Sequence, residues 1–241
     1  MRPTPGPLQG EISVQPARAD RPRSGWTGTR RLVYYWMLPM LLDHYHSSQV
    51  LSRRVRVLAG HLAAMAPADA EILDVGCGDG QIARILLDRR SDLKISGVDV
   101  LAREETAIPV SLFDGQTLPL ADGAKDAVMF VDVLHHTDDP LVLLREAGRV
   151  SRRWIIIKDH TREGWAAGLT LRFMDWVGNA RYGVALPYNY WTAAQWQAAW
   201  IGLKLQPVRS VTEVGLYPWW ANWLFGRRLH FVTLLEKQRQ D

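Results

Sequence analysis

Three glycines at alternate positions in Asp74–Gly80 (DVGCGDG) are the residues of this sequence best suited to holding a ligand. They follow an apolar segment, Glu71–Val75, and precede a stretch with helical spacing, which predicts a buried strand, a tight turn and a helix. Glycine lets a ligand approach the backbone of such a turn closely. Because Asp74 and Asp79 add negative charge there, the turn favours a ligand with a positive group over a pyrophosphate.

Acidic residues also follow the next predicted strands along the chain. The second predicted strand, Leu93–Val100, has Asp99 next to its last residue. An acid at this position can accept hydrogen bonds from both hydroxyls of a ribose. Pro109–Asp114 predicts a third strand and Asp126–Val131 a fourth, and the fourth is followed by Asp132–Pro140 (DVLHHTDDP). Because ligands of open α/β sheets bind outside the carboxyl ends of the strands, we expect these residues to line one crevice.

The glycine turn resembles motif I, written D-x-G-x-G-x-G, of the class I S-adenosylmethionine-dependent methyltransferases. Leu118–Gly123 (LPLADG) and Asp132–Pro140 are also similar to stretches of that family, and the resemblance covers about residues 70–160. It implies an α/β fold with a doubly wound, seven-stranded, mostly parallel Rossmann-like sheet whose last strand is antiparallel. A helical N-terminal cap and a lid insertion would complete the fold, and S-adenosyl-L-methionine would be the cofactor.

The resemblance and the strand ends together give nine candidate cofactor-binding residues. They are Asp74, Gly76, Cys77, Gly78, Asp99, Val100, Asp114, Gly115 and Asp132. In the resembled family, an acid at the position of Asp114 approaches the adenine amino group, and the alternative is a turn acid that faces solvent. Asp132 has a similar alternative, which is to cap the turn that follows it. Cys77 could be a nucleophile, but a small residue that fits the turn is favoured.

A general base for an oxygen or nitrogen acceptor is expected at the same edge of the sheet. His160 and Asp159 follow a fifth predicted strand, Arg153–Lys158, and they join His136 as the candidate catalytic residues. Structural roles remain open for all three. The hydrogen bonds of the His160 ring could be satisfied by neighbours at the strand end, and Asp159 could orient His160. A histidine pair like His135-His136 also occurs in family members with differing substrates, which favours a structural role. No metal site is predicted.

The remaining pattern predicts the elements that position these residues. Helices are expected at Gln49–Met65 and Gln81–Leu87, from Asp139-Pro140 onward and at Trp191–Gly202, and the last two strands at Leu203–Val214 and His230–Glu236. Only Val100–Ile108 separates the second strand from the third, so the crossover helix there should be short or irregular.

The domain organisation follows from these elements and from composition. We expect a disordered basic, proline-rich tail at residues 1–25 and a single domain at 26–241, with cap helices at 26–66 and a lid at 161–191. Candidate pocket-wall residues are Tyr45, His46, Tyr188, Asn189 and Tyr190.

Charge and cysteine content restrict the partners. The formal net charge is +4, and residues 1–31 alone carry six arginines against two acids, which gives +4 for this segment. The excess therefore lies in these N-terminal residues and not in the rest of the chain, and we expect no nucleic-acid partner. The single cysteine favours a reducing, cytoplasmic location.

Leu32–Leu42 is too short to span a bilayer and is expected to form a capping helix, with peripheral membrane contact as the alternative. The oligomeric state is not indicated.

Three functions are compatible with these observations. The leading hypothesis is methyl transfer from S-adenosylmethionine to a small, partly apolar acceptor, aromatic or lipid-like, at oxygen or nitrogen more than at carbon. The second is a cofactor-binding partner protein without catalysis. The third is a nicotinamide-dependent oxidoreductase, against which Gln81 and Asp74 count, because the dinucleotide motif G-x-G-x-x-G is not matched.

Overall fold

The computed structural model describes residues 51–179 and 187–238. The predicted tail, the apolar run Leu32–Leu42, and Tyr45 and His46 lie outside the described residues, as does the segment 180–186 of the predicted lid. The domain boundaries given above stay predictions.

The described residues form one seven-stranded sheet. Its strands are β1 (Glu71–Val75), β2 (Lys94–Asp99), β3 (Val110–Leu112), β4 (Lys125–Val131), β5 (Ser151–His160), β6 (Leu205–Val211) and β7 (His230–Lys237). The order across the sheet is β3-β2-β1-β4-β5-β7-β6, and β7 runs antiparallel to both β5 and β6. The predicted fold class, with its antiparallel last strand, is confirmed.

Helices cover both faces of this sheet. They are α1 (Leu51–Met65), α2 (Gln81–Arg89), α3 (Pro140–Val150), α4 (Ala167–Asn179), α5 (Ala193–Gly202) and α6 (Trp219–Phe225). No helix among residues 51–179 and 187–238 is long and apolar enough to cross a membrane.

Alternation along the central strands divides the core into two layers. Ile72 and Met129 face α1 and α2, whereas Leu73 and Val128 on the same strands face α3 and α5. Side chains on successive residues of a strand point to opposite faces, so a strand covered on both sides is apolar throughout. This explains why the predicted strands read as continuous apolar runs.

Local capping explains where two of the helices begin. The Asp139 carboxylate accepts a hydrogen bond from the Leu141 amide, with Pro140 in the first turn of α3. Thr192 and Gln195 form a reciprocal capping box at the start of α5. Both side chains satisfy amides that the first helical turn leaves without partners.

The structure differs from the sequence expectations mainly at the ends of elements. β5 continues two residues beyond the predicted Lys158, so that Asp159 and His160 belong to the strand. No helix forms between β2 and β3, where the short connection predicted a short or irregular one. The long connection Gly215–Arg228 contains a helix of its own, α6. The first residue of β7, His230, pairs with His160, which places it at the same edge of the sheet as the ends of the parallel strands.

Candidate active site

The glycine turn after β1 presents open backbone at the carboxyl edge of the sheet. Gly76, Gly78 and Gly80 all have positive φ, at 69°, 59° and 77°. A Cβ on Gly76 would lie 2.7 Å from Cγ2 of Val133, so a side chain would not fit there. A Cβ on Gly78 would meet no atom within 4 Å. Gly78 therefore faces open space, into which a ligand can be laid against the backbone.

Asp74 brings a buried carboxylate to the base of this turn. Its side chain is only 3% exposed, and its Oδ1 atom has no hydrogen-bond partner among the described residues. Burial, with a further contribution from the charge of Asp99, raises the pKa of Asp74 to about 7. A buried polar atom without a partner is costly, and a cationic ligand group beside it would remove that cost. The ammonium group of S-adenosylmethionine fits this requirement.

Asp99 fixes the turn from the end of β2. Its two carboxylate oxygens accept hydrogen bonds from the amides of Gly78, at 2.8 Å, and Leu101, at 2.9 Å. Each oxygen has a second lone pair, so the carboxylate can also accept the hydroxyls of a ribose. The predicted ribose residue is thus held rigidly beside the open face of Gly78.

The candidate adenine residues lie on two adjacent loops. Val100 is exposed, and a Cβ on Gly115 would come within 3.3 Å of its Cγ1 atom, so the loops after β2 and β3 are neighbours. Asp114 accepts hydrogen bonds from the amides of Gln116 and Thr117 at 2.8 and 2.7 Å, both on Oδ1. Asp114 thus stabilises its own turn, which is the alternative role given for it above. Its Oδ2 atom takes no part in these two hydrogen bonds.

Cys77 is packed into the turn as a small residue. Its Sγ atom would lie 2.3 Å from a Cβ on Gly97, so the thiol fills the space above that glycine. Burial, with the charges of Asp74 and Asp99, raises the pKa of Cys77 to about 12. The thiol is therefore protonated near neutral pH and is a poor nucleophile.

Asp132, directly after β4, is held by two cations. One carboxylate oxygen contacts Lys158 Nζ, and the other accepts a hydrogen bond from Arg54 at 2.6 Å. Burial opposes ionisation, but Lys158 and Arg54 outweigh it and hold the pKa of Asp132 well below its usual range. Arg54 lies on α1, and the sequence analysis assigned it no role. The structure shows that it reaches across to the strand end.

Asp159 organises the histidines that follow β4. Its Oδ1 atom lies 2.6 Å from His135 Nδ1 and accepts the His160 amide at 2.7 Å, while Oδ2 accepts the Leu134 amide at 3.0 Å. Burial favours a neutral His135 ring, but Asp159 outweighs it and raises the pKa of His135 to about 10. The two side chains form a buried imidazolium–carboxylate pair. The geometry favours an orienting role for Asp159, and the residue it holds most closely is His135.

His136 is the most accessible of the three candidate catalytic side chains. Its side chain is 16% exposed, compared with 8% for His160 and none for Asp159. Burial and the charge of His135 lower the pKa of His136. Burial, with Lys158 and His135, lowers the pKa of His160 to about 4. Both rings are therefore neutral at neutral pH and can accept a proton.

Asp175 of α4 connects this cluster to the lid. Its Oδ1 atom lies 3.6 Å from His135 Nε2 and 3.7 Å from His136 Nε2, and its Oδ2 atom accepts a hydrogen bond from the Tyr190 hydroxyl at 2.7 Å. The lid helix is thus fixed over the histidines by polar contacts. We name Asp132, His135, His136, Asp159, His160 and Asp175 the histidine cluster.

Comparisons with known proteins agree with this geometry. The family model described as "Methyltransferase domain" matches residues 73–154. A 2-methyl-6-phytyl-1,4-hydroquinone methyltransferase of Synechocystis is 26% identical over 184 residues, covering 69% of this chain and 52% of that protein. A 27-O-demethylrifamycin SV methyltransferase of Amycolatopsis mediterranei is 28% identical over 120 residues, 44% of each chain. The chain therefore spans about half the length of the curated relatives it matches.

Solved structures show the same fold. An S-adenosylmethionine-dependent methyltransferase of Mesorhizobium loti superposes with a TM-score of 0.55 at 19% identity, covering 74% of this chain and 96% of that one. A Thermotoga maritima protein, described as a possible histamine N-methyltransferase, gives a TM-score of 0.55 at 18% identity, with 86% and 97% covered. Residues 73–154 are thus similar to a methyltransferase domain, and the described residues have the fold of class I S-adenosylmethionine-dependent methyltransferases.

Within this fold, the predicted residues fall into two groups. The candidates from Asp74 to Gly115 lie at the carboxyl ends of β1, β2 and β3, and we name this region the cofactor edge because it is the candidate cofactor site. Asp132 instead joins His136, Asp159 and His160 at β4 and β5, where it is bound to Arg54 and Lys158.

Metal ligation was not predicted, but two sets of three side chains in the described part of the chain bring ligand atoms within 4.8 Å of one another. These sets are Asp132, His135 and His160, and His135, His136 and Asp175. Arg54 and Lys158 already neutralise Asp132, and the imidazolium of His135 supplies positive charge between Asp159 and Asp175. In both sets, positively charged side chains of the chain itself thus lie beside the carboxylates that a metal would need.

Sequence reasoning missed several residues of this candidate site. They are Arg54, Asp175 and His230, together with the pairing of His135 to Asp159. His230 is 2% exposed, and neither ring nitrogen has a hydrogen-bond partner among the described residues. One signal could have found it, because the first residue of an antiparallel last strand must lie at the carboxyl edge of the others. No comparable signal existed for Arg54 or Asp175.

Proposed function

We propose that this chain binds S-adenosylmethionine across the glycine turn and transfers its methyl group to a small, partly apolar acceptor at oxygen or nitrogen. The observation that carries the proposal is the unpartnered, buried Oδ1 atom of Asp74 beside a turn whose open glycine, Gly78, is bound by Asp99. A carboxylate for the ammonium group and a second one for the ribose are then in place on one edge.

Each part of the cofactor has residues suited to it. Asp74 would hold the ammonium group, Asp99 the ribose hydroxyls, and the loops that carry Val100 and Asp114 the adenine. When bound, the cofactor supplies an electrophilic methyl group on a sulfonium. The chain contributes position and the exclusion of water, which are the main protein contributions to this kind of transfer.

His136 is the best-placed general base for an acceptor that loses a proton. Its ring is neutral, partly exposed and 3.7 Å from a carboxylate oxygen of Asp175. The acceptor proton would move to the His136 ring, and the neighbouring carboxylate would stabilise the imidazolium that forms. General-base catalysis of this kind contributes about 100-fold to 10,000-fold to a rate.

An aromatic or lipid-like acceptor is supported by the lid and by the relatives. A cleft of about 470 Å³ is lined by Tyr188, Tyr190 and Leu169 together with Arg162 and Arg172. Its volume lies within the range for small-molecule sites. One relative is named for a phytylated hydroquinone and another for the 27-O-demethyl form of rifamycin SV. We therefore favour an acceptor with an apolar part, and a cytoplasmic location stays a prediction from the single cysteine.

A titration of the chain with S-adenosylmethionine and with its demethylated product tests the cofactor. We expect wild type to bind both and Asp99→Ala to bind at least about tenfold more weakly, because removal of a hydrogen-bonded charge costs about 1.5–3 kcal/mol. The matched control is Asp88→Ala, which removes a half-exposed acid paired with Arg84 on α2. Equal binding by Asp99→Ala and wild type, or no binding by wild type, would contradict the proposal. Binding without turnover on a panel of phenols and lipid alcohols would favour the non-catalytic partner protein.

A further inference from the structure

The outward face of the lid helix α4 is apolar instead of polar. Leu169, Phe173 and Trp176 lie on the exposed side of this helix, whereas Leu171 and Asp175 lie on the buried side. A surface helix of a globular protein normally turns its charged residues to solvent and its apolar stripe to the core. This helix therefore has apolar residues on both sides, and the outer set needs a separate explanation.

Helix α6 and the turn before α4 carry further exposed aromatic side chains beside this helix. The rings of Phe173 and Phe225 stack at a centroid distance of 6.4 Å, which places the two helices side by side. Arg227, just after α6, donates hydrogen bonds to the Trp165 carbonyl at 3.3 Å and the Thr170 hydroxyl at 2.7 Å. The surface formed by Trp165, Leu169, Phe173, Trp176, Trp219 and Trp223 is named the tryptophan surface.

The indoles of the tryptophan surface are almost fully exposed. Trp165 is 89% exposed, Trp219 87% and Trp223 79%. Single exposed apolar residues are common, but a contiguous group of large ones marks an interaction site. Eight of the thirteen large hydrophobic side chains that are exposed in the described part of the chain belong to α4, α6 or the turn before α4.

Arginines accompany this surface. Arg162, Arg172, Arg227 and Arg228 are all exposed in the same segments, where the exposed acids are Glu163 and Glu213. Arg162 and Arg172 also line the cleft that contains Tyr188 and Tyr190. Exposed indoles with neighbouring arginines suit the headgroup region of a bilayer, where the rings lie at the interface and the cations meet anionic lipid.

The tryptophan surface lies directly above the histidine cluster. Asp175, on the inner side of α4, contacts His135 and His136, while Phe173 and Trp176 project from the outer side of the same helix. The lid is therefore one helix thick at this point. Whatever binds the outer side lies close to the proposed acceptor site.

We propose that the tryptophan surface docks this chain on a bilayer that contains anionic phospholipid. The chain would then take its acceptor from the membrane through the lid. The second part rests on the proposed methyl transfer, whereas the docking itself does not. A protein partner is the other class of occupant, but the arginines beside the cleft and the exposed indoles favour lipid.

Sedimentation of the full chain with vesicles tests the docking, without S-adenosylmethionine present. We expect wild type to bind vesicles of phosphatidylcholine with phosphatidylglycerol more tightly than vesicles of phosphatidylcholine alone. The triple variant Trp165→Ser, Trp219→Ser, Trp223→Ser should have a partition coefficient about tenfold lower or more. The substitutions remove the apolar side chains that the bilayer would bury. Ile201→Ser with Val208→Ser is the matched control, since both side chains are exposed on α5 and β6 outside this surface, and it should bind like wild type.

Two further measurements keep the result interpretable. Titration with S-adenosylmethionine shows whether the triple variant is folded, and it reports on the methyltransferase proposal separately from docking. Arg172→Gln with Arg228→Gln should remove most of the preference for phosphatidylglycerol. Absence of binding by wild type to either vesicle, or equal binding by the triple variant, would overturn the proposal and assign the surface to a protein or to another part of this chain.

Discussion

The cofactor edge and the histidine cluster lie on the same edge of one sheet, but they are built in opposite ways. The cofactor edge uses backbone from one turn and a few acids that lie at or just beyond the carboxyl ends of strands. The histidine cluster uses side chains from β5, from α4 and from the segment after β4, which bind one another and the cations Arg54 and Lys158 through buried or partly buried charges. Change in the first region should therefore affect ligand affinity, and change in the second should affect stability and rate.

The largest effect is expected when the central acid of the cluster is neutralised. Asp159→Asn removes the nearer of the two carboxylates that the described residues place beside the His135 ring, which is 2% exposed, and leaves only Asp175 at 3.6 Å. Loss of one partner of a buried pair costs about 3–5 kcal/mol, so the free energy of unfolding in urea should fall by that amount. Asp88→Asn, at a half-exposed pair, should change it by less than about 0.5 kcal/mol. A small loss in Asp159→Asn would mean that the two regions do not differ in this way.

The next effect concerns rate and separates the two regions most directly. His136→Ala should lower kcat by about 100-fold or more, because the proposed base is removed, while affinity for S-adenosylmethionine stays within about twofold of wild type. The measurement is formation of the demethylated cofactor with the best acceptor from a phenol and lipid panel. His160→Ala is the comparison variant. If it lost more activity than His136→Ala, the base would be His160 and the assignment made from accessibility would be wrong.

The smallest effect is a pH dependence at the cofactor edge. The pKa of Asp74 is about 7 in the folded protein, against an ordinary value of 3.8. The folded state thus holds this proton more tightly than the unfolded chain does, and the stabilisation that follows is full below about pH 4 and lost as the pH rises through about 7.

A cationic ligand reverses this preference because it favours the ionised carboxylate. Affinity for S-adenosylmethionine should rise by up to about tenfold per pH unit below about pH 7 and level off above it. Calorimetric titrations across this range, on wild type and on Asp74→Asn, measure the effect. A similar slope in Asp74→Asn would show that another group titrates.

Much of the fold could be predicted because its signals are local. The glycines at Gly76 and Gly78 specify a turn that only residues without a side chain can form, and the apolar runs specify buried strands. The antiparallel last strand was also predicted correctly, and the crossover between β2 and β3, expected to contain a short or irregular helix, contains none. The carboxyl end of β5 was not predicted correctly. Asp159 and His160 are polar residues, and their place in the strand depends on the β7 residues that pair with them.

The sequence by itself determined the sheet, the glycine turn and the acids of the cofactor edge, since each depends on residues within a few positions of one strand end. Only the tertiary structure decided that Arg54 neutralises Asp132, that Asp159 binds His135 more closely than the ring of His160, and that Asp175 joins them from the lid. These partners are separated by tens of residues, and spacing carries no record of which side chains burial will bring together. The choice is made by the cost of leaving a buried charge without a partner, which exists only once the core has formed.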